Sequence, residues 1–180
     1  AINSVKNKEA DIVISAGNTG ALLVISKLNL KMIENIDKPA LSALWPNKKG
    51  MSVVLDLGAN IECNSKNLVD FSIMGASLYK SLYPSNTPKI ALLNIGSEEL
   101  KGNEIIKETF QLLNEKKFKN FDFSGYIEGN QLMDGNVNVI ISDGFTGNVA
   151  LKTAEGTANF ITDELKMIFK GSILGKISAI

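Results

Sequence analysis

Residues 137–148 read VNVIISDGFTGN. Its first six residues form an apolar run that is too short for a helix and is typical of a buried strand. A glycine-containing segment follows, and from Gly147 to about Lys170 apolar residues recur every three or four positions. That spacing predicts a helix. The stretch therefore predicts a strand, a tight turn and a helix in direct succession.

The same succession recurs along the chain. Strands are also predicted at residues 11–15, 51–56, 89–94 and 121–127, and helices at residues 21–32, 66–83 and 104–116. Ser65 is the expected N-cap of the helix over residues 66–83, and residues 47–50 are expected to form a loop. Alternating apolar strands and helices predict an α/β fold, with a mostly parallel sheet and helices on both faces. No linker interrupts the pattern, so we expect a single domain over residues 1–180.

The composition narrows the chemistry. Lys and Arg together number 19, as do Asp and Glu, so the charge gives no indication of a nucleic-acid partner. The chain has no His and every basic residue is Lys, so an anion site must use Lys, amides and backbone N–H groups. With one cysteine, Cys63, and no His, zinc ligands are scarce, and we expect no metal and no cofactor. A lone cysteine is typical of a reducing compartment, which favours a cytoplasmic protein.

Two of the predicted turns have nearly the same sequence. Residues 15–20 read SAGNTG and residues 142–147 read SDGFTG, both of the form Ser-x-Gly-x-Thr-Gly. At the start of a helix, such a turn exposes backbone N–H groups that attract anions. The alternative is that both are plain tight connections.

Neither GxxxxGK[ST] nor GxGxxG occurs, so signals for a P-loop ATPase and for ordinary dinucleotide binding are missing. Cys63 is either an acyl acceptor or an inert thiol.

Four motifs together resemble one family. They are ADIVISAGNTGALL (residues 10–23), PALSALWPNKKGMSVVLDLGAN (39–60), LLNIGSEELKGNE (92–104) and VIISDGFTGNVALKTAEG (139–156). Their order and spacing resemble the PlsX family, bacterial phosphate acyltransferases that make acyl phosphate from acyl-acyl-carrier-protein and inorganic phosphate. The resemblance implies a Rossmann-like fold similar to isocitrate and isopropylmalate dehydrogenases and to phosphotransacetylase, usually as a homodimer. It also implies that this chain is the central portion of a longer enzyme.

The resemblance assigns roles to particular residues. Phosphate is itself a nucleophile and a thioester has a good leaving group, so the protein needs mainly to position both and to stabilise the oxyanion. Lys101 is the expected cation on phosphate. Asn148 is expected to donate its amide to the thioester oxygen or to phosphate, to cap the last helix, or both. Asp56 and Asn60 are expected to orient the phosphate- and substrate-binding site rather than touch substrate, and Asp143 is expected to position Lys101 and the turns rather than act as a base.

The remaining expected phosphate- and substrate-binding residues lie in the glycine turns. They are Ser15, Gly17, Asn18, Thr19, Gly20, Gly58, Gly96, Gly102, Asn103, Gly144, Thr146 and Gly147. The two Ser-x-Gly-x-Thr-Gly turns would form two walls of one anion site. Two other functions stay open: a phosphotransacetylase-like enzyme that uses a coenzyme A thioester, and a non-catalytic phosphate- or nucleotide-binding module.

The end of the chain carries a second signal. Residues 159–170 form an amphipathic pattern, and the apolar segment GSILGKISAI follows at residues 171–180. Lys166, Lys170 and Lys176 are placed to meet anionic lipid, each contributing about 1 kcal/mol near such a surface. The alternative is a helix packed in a dimer core. The resemblance implies peripheral membrane association of a cytoplasmic enzyme.

Overall fold

A computed structural model of the protein describes residues 1–170. Its strands are β1 (Ser42–Asn47), β2 (Gly50–Leu55), β3 (Lys89–Asn94), β4 (Asp122–Glu128) and β5 (Val139–Ile141). Its helices are α1 (Ile2–Lys6), α2 (Thr19–Leu30), α3 (Ser65–Leu82), α4 (Glu104–Glu115) and α5 (Gly144–Lys170), with a short 3₁₀ turn at Gly129–Gln131. Ala1–Gly147 form one compact unit, and the residues from Asn148 onward form a second. The single domain over residues 1–180 stays a prediction.

The five strands form one sheet in the order β1-β2-β5-β3-β4. Only the β1–β2 pair is antiparallel, while the β2–β5, β5–β3 and β3–β4 pairs are parallel. The prediction of an α/β fold with a mostly parallel sheet is confirmed. Because β5 lies between β2 and β3, the carboxyl ends of these three strands are neighbours, which is where parallel sheets bind ligands.

Helices α3 and α4 pack on one face of the sheet and share its core. Phe71 and Leu68 of α3, Leu113 of α4, and Val139 and Ile141 of β5 are almost completely buried there. Helix α4 contributes an apolar face to this core, since Ile106 and Leu113 are buried in it and the partly buried Phe110 packs against it. In α3, a Cβ on Gly75 would meet the side chains of Val139 and Leu55, so glycine allows the helix to lie close to the sheet.

The predicted strand at residues 11–15 is wrong, because these residues form an irregular segment in the structure. Ile12 and Ile14 are 73% and 88% exposed. A strand needs a neighbour to receive its backbone hydrogen bonds, and within residues 1–170 no strand pairs with this segment. The helix predicted after it is present as α2.

Strand β1 was not predicted, and the expected loop at residues 47–50 is the turn of a β1–β2 hairpin. Pro46 lies within β1 and pairs in register with Met51. Proline cannot donate to a ladder, so it is confined to edge strands and strand ends. Strand β1 is an edge strand, which is why it accepts Pro46.

Two predicted helix starts are wrong. Asn64, not Ser65, caps α3: its side chain accepts from the Asn67 N–H, and the Asn67 side chain accepts from the Asn64 N–H. Helix α5 begins at Gly144 rather than near Gly147. Its cap is the Asp143 carboxylate, which accepts from the Thr146 N–H at 2.7 Å. The segment expected to be a turn is therefore already the first turn of the helix.

The second unit is described from Asn148 to Lys170, as the continuation of α5. Large apolar side chains are exposed along it, among them Phe160, Ile161, Leu165 and Ile168. Lys166 forms an ion pair with Asp163 at 3.2 Å. Among residues 1–170, none of the helices combines the length and the apolar character needed to cross a bilayer. The predicted membrane contact of residues 171–180, including Lys176, lies outside the described residues.

Candidate active site

A cleft of about 600 Å³ opens beside the carboxyl ends of β2 and β5. Its lining includes residues from the N-terminal ends of three helices: Asn64 and Asn67 of α3, Asn103, Ile105 and Ile106 of α4, and Asp143, Phe145 and Thr146 of α5. Each helix N-terminus carries a partial positive charge of about half an elementary charge. The cleft is therefore a favourable environment for an anion.

The three helices are capped in the same way. Asn64, Asn103 and Asp143 each accept a hydrogen bond from the backbone N–H three residues on, at 2.9, 2.9 and 2.7 Å. A side-chain cap satisfies only one of the N–H groups that a helix start leaves open. Within residues 1–170, no protein acceptor engages the N–H groups of Ile105 and Phe145, which both line the cleft. These N–H groups are available to a ligand.

Asp56, the residue after β2, organises the wall of the cleft. Its side chain is completely buried. One carboxylate oxygen accepts from the N–H groups of Leu41, Gly58 and Ala59, and the other accepts from both the backbone and the side-chain N–H of Asn60. A buried carboxylate is stable when it is satisfied in this way. Asp56 has no capacity left for substrate, so its geometry is that of an orienting residue.

Helix α5 starts against this wall at very short range. The Gly144 N–H donates to the Asn60 carbonyl at 2.8 Å, and a Cβ on Gly144 would lie 2.6 Å from the same oxygen. A Cβ on Gly147 would collide with the Asp56 carbonyl oxygen. Both glycines are therefore required for close approach of the helix to the Asp56 loop. Neither lines the cleft, so the expected substrate-binding roles of Gly144 and Gly147 stay predictions.

The loop after β3 leads to the cleft through its last residue, Asn103. Asn94 donates to the carbonyl oxygens of Gly96 and Lys101, both at 3.1 Å, and so holds the two ends of the loop together. Gly102 adopts a positive φ of 96°, which favours glycine. The loop ends at Asn103, which caps α4 and lines the cleft.

Lys38 is the cation that the sequence analysis missed. It lies in the segment before β1, lines the cleft and donates from Nζ to the Glu62 carbonyl at 2.7 Å. The segment is fastened to α3 by Lys66, whose Nζ bonds to the Asn35 carbonyl and to the carboxylates of Asp37 and Asp70 at 3.0, 2.9 and 2.8 Å. The hydrogen bonds from Lys66 to Asp70 and Asp37 raise the pKa of the Lys66 ammonium. Lys38 precedes a proline, which favours an extended backbone, but no glycine turn marks it.

Cys63 also lines the cleft, two residues before α3 begins. Its side chain is buried, and its Sγ lies 3.7 Å from the Asn60 carbonyl oxygen. Burial raises the pKa of the Cys63 thiol, although the nearby Lys38 charge acts in the opposite direction. A protonated thiol is a poor nucleophile. The geometry therefore favours the inert thiol over the acyl acceptor.

A sequence model of the family described as "Fatty acid synthesis protein" matches residues 1–180. The chain belongs to this family. A "Phosphate acyltransferase" of Pelagibacter ubique is 78% identical over the whole chain, which spans 54% of that relative. A second, from Maricaulis maris, is 45% identical over 99% of the chain and 51% of the relative. The resemblance that the four motifs indicated is confirmed, and the chain spans about half the length of these relatives.

Two solved structures share the fold. The EutD phosphotransacetylase from Staphylococcus aureus superposes with a TM-score of 0.65 at 16% identity, over 88% of this chain and 54% of that one. A branched-chain phosphotransacylase from Enterococcus faecalis V583 superposes with a TM-score of 0.59 at 17% identity, over 84% of this chain and 61% of that one. At these identities the likeness concerns the fold, and it agrees with the predicted phosphotransacetylase-like architecture.

The structure brings only some of the expected site residues into the cleft. Asn103, Asp143 and Thr146 line it, and Asp56, Gly58 and Asn60 form the loop behind its wall. Lys101 is about half-exposed, does not belong to the lining, and lies 3.9 Å from the Glu98 carboxylate. Gly96 lies beside it, since a Cβ on Gly96 would meet the Lys101 side chain. The role of Lys101 stays a prediction.

The SAGNTG segment lines a different cleft of about 470 Å³, formed by residues between Ala1 and Asn29. Ser15, Gly17 and Asn18 lie in that lining, and Thr19 and Gly20 begin α2. The two clefts share no lining residue. The structure thus places the two Ser-x-Gly-x-Thr-Gly segments in separate clefts, and one anion site with both as walls stays a prediction.

Asn148 lies in α5, exposed, in the second unit. The alternative that it caps this helix is wrong, because the helix begins four residues earlier and Asp143 is its cap. Its expected role as an amide donor to substrate stays a prediction.

Proposed function

We propose that the protein carrying this chain is a phosphate acyltransferase. It would transfer an acyl group from acyl-acyl-carrier-protein to inorganic phosphate and so feed glycerophospholipid synthesis. The observation that carries the proposal is the cleft at the carboxyl ends of the strands, where three capped helix N-termini and Lys38 provide an anion site. Membership of the fatty acid synthesis family supports the same function.

The reaction suits a site built from backbone dipoles and Lys. An oxygen of phosphate attacks the thioester carbonyl carbon, a C–O bond forms, and the C–S bond breaks as the carrier thiolate leaves. No covalent intermediate with the enzyme is required, so the sequence needs neither a His nor a reactive cysteine. The protein holds the two reactants together and stabilises the oxyanion. In this proposal the reaction uses no cofactor and no metal.

The proposed catalytic residues are Lys101 and Asn148. Lys101 would provide positive charge to phosphate, and its loop leads directly into Asn103 at the cleft. Asn148 would donate its amide to the thioester oxygen or to phosphate. The glycine turns and their polar residues would complete the anion site, with the Asp56 loop holding it in shape.

The partners are proposals of the same kind. Acyl-acyl-carrier-protein is the proposed acyl donor, and a homodimer is the proposed assembly. Peripheral contact with an anionic membrane through residues 159–180 is supported by Phe160, Ile161 and Ile168, whose apolar side chains are more than half exposed on α5. A cytoplasmic location is supported by Cys63, which is a free thiol.

Turnover of radiolabelled phosphate tests the function in the native polypeptide that contains this chain. We expect labelled acyl phosphate with acyl-acyl-carrier-protein as donor and much less with acyl-coenzyme A. The reverse preference would favour the phosphotransacetylase-like alternative, and phosphate binding without turnover would favour a binding module. Lys101→Ala and Asn148→Ala should each lower kcat/KM by roughly 100-fold, as the loss of an oxyanion donor does. Lys48→Ala, far from the cleft in the β1–β2 hairpin, is the matched control.

A further inference from the structure

We infer that Lys38 is a phosphate-binding residue of the cleft, and that inorganic phosphate sits between its ammonium group and the N-termini of α3, α4 and α5. This inference deepens the proposed function and rests on it. It adds a cation that the sequence motifs did not indicate.

Lys38 lies in the cleft itself. It is the only Lys in the lining of the cleft within residues 1–170, and it is half-buried. Lys101, by contrast, lies outside that lining. An anion that enters this cleft therefore meets Lys38. A Lys in a partly enclosed site interacts with an anion more strongly than an exposed surface Lys does.

The ammonium group of Lys38 has donors left for a ligand. An ammonium group has three N–H donors. One of them bonds to the Glu62 carbonyl at 2.7 Å, and no carboxylate within residues 1–170 forms an ion pair with Lys38. The Glu62 bond fixes the position of Nζ and leaves two donors, which a phosphate has the oxygens to accept.

The acidic groups of the cleft oppose phosphate binding only in part, because each is directed to another partner or to solvent. The Asp143 carboxylate accepts from both the N–H and the hydroxyl of Thr146, at 2.7 and 2.9 Å, so its charge is held at the start of α5. Glu62 contributes its carbonyl to Lys38, and as a residue it is exposed. The positive ends of three helices remain on the same cleft and add to the attraction.

The segment that carries Lys38 is fixed to α3 by hydrogen bonds. Lys66 binds the carbonyl of Asn35 and the carboxylates of Asp37 and Asp70, and so joins the residues just before Lys38 to α3. Lys66 is thus a positioning residue, since it fixes the backbone from which Lys38 reaches the cleft. A preorganised cation binds its ligand without first losing the freedom of a mobile loop.

Isothermal titration calorimetry with inorganic phosphate and no acyl donor tests the inference in the native polypeptide. Lys38→Gln removes the charge but keeps an amide that can donate to Glu62. We expect its Kd for phosphate to rise roughly tenfold or more, since charge-assisted hydrogen bonds are the stronger ones. Lys38→Arg should recover part of the affinity, and Lys48→Gln, an exposed Lys paired with Asp134, should leave it unchanged.

Cys63 supplies a readout of position, because its thiol lines the same cleft and, although it is a poor nucleophile at neutral pH, it is alkylated at alkaline pH, where it ionises. Phosphate should slow alkylation of the Cys63 peptide, followed by mass spectrometry, in the native protein and in Lys48→Gln but not in Lys38→Gln. Unchanged phosphate affinity and unchanged protection in Lys38→Gln would overturn the inference. The proposed function is judged separately, by turnover with acyl-acyl-carrier-protein. Should Lys38→Gln fail to fold, Lys38→Arg decides: phosphate affinity below that of Lys48→Gln supports the inference, and equal affinity overturns it.

Discussion

The two Ser-x-Gly-x-Thr-Gly segments share a sequence pattern and differ in almost everything else. In residues 142–147 the Ser is buried, the helix begins at the first Gly, and both glycines press against the Asp56 loop. In residues 15–20 the Ser is exposed, the helix begins at the Thr, and a Cβ on either glycine would meet a side chain of the same segment, Ser15 or Asn18, rather than backbone. What such a segment does is therefore determined by the surface on which it packs rather than by its own sequence.

The glycine pair Gly147 and Gly20 gives the largest expected contrast. Gly147→Ala would drive a Cβ into the Asp56 carbonyl oxygen and should destabilise the protein by about 3 kcal/mol or more. Gly20→Ala would place its Cβ 3.3 Å from the Asn18 side chain, and the better helix propensity of Ala offsets this crowding, so its effect should stay within about 0.5 kcal/mol. Chemical denaturation followed by circular dichroism measures both. Equal losses would show that the two segments are equivalent after all.

The capping residues give an intermediate contrast, because the cap occupies a different place in each segment. Asp143 accepts two hydrogen bonds from Thr146, whereas Asn18 accepts one, from the Ala21 N–H at 3.0 Å. Asp143→Ala should cost about 2 kcal/mol, and Asn18→Ala about 1 kcal/mol or less. The same denaturation experiment ranks them. A larger loss for Asn18→Ala would contradict the interpretation that the second segment is the more tightly constrained.

The two serines give the smallest contrast. The Ser142 hydroxyl is buried and donates to the Asp56 carbonyl at 3.2 Å, so Ser142→Ala should destabilise by about 1 kcal/mol. The Ser15 hydroxyl accepts from the Gly17 N–H at the surface, where water can replace it, and Ser15→Ala should change stability by less than about 0.5 kcal/mol. Thermal melts of the two variants decide the order, and a reversed order would count against buried and exposed contexts as its cause.

Local signals in the sequence predicted most of the elements that build the core of the sheet. Strands β2 and β3 and helices α3 and α4 follow directly from apolar runs and spacing. Residues 11–15 carry the same kind of signal and are not a strand, because pairing is a property of a neighbour that the segment itself does not encode. Strand β1 was missed for the opposite reason: Pro46 opposes a strand locally, and the edge position that makes it acceptable is visible only in the sheet.

The candidate site was predicted in part. Glycine turns and caps mark the start of helices, and so Asn103, Asp143 and Thr146 were found. Lys38 carries no such mark, because it reaches the cleft through a contact with Glu62 that lies 24 residues away in sequence. A contact between residues that are distant in the chain produces no periodic pattern in the sequence. The helix starts that line the cleft were therefore easier to predict from the sequence than its charged side chain, Lys38.

The central position of β5 has a consequence for how the chain is made. Strands β2 and β3 do not pair with each other, and β5, the last strand within residues 1–170, lies between them. During synthesis, β1 to β4 leave the ribosome before the strand that joins their two pairs. The cleft has no complete wall until the residues that follow β5 have also emerged, since Asp143 and Thr146 belong to its lining. A nascent chain therefore completes this cleft only after β5 and the first turn of α5 have emerged.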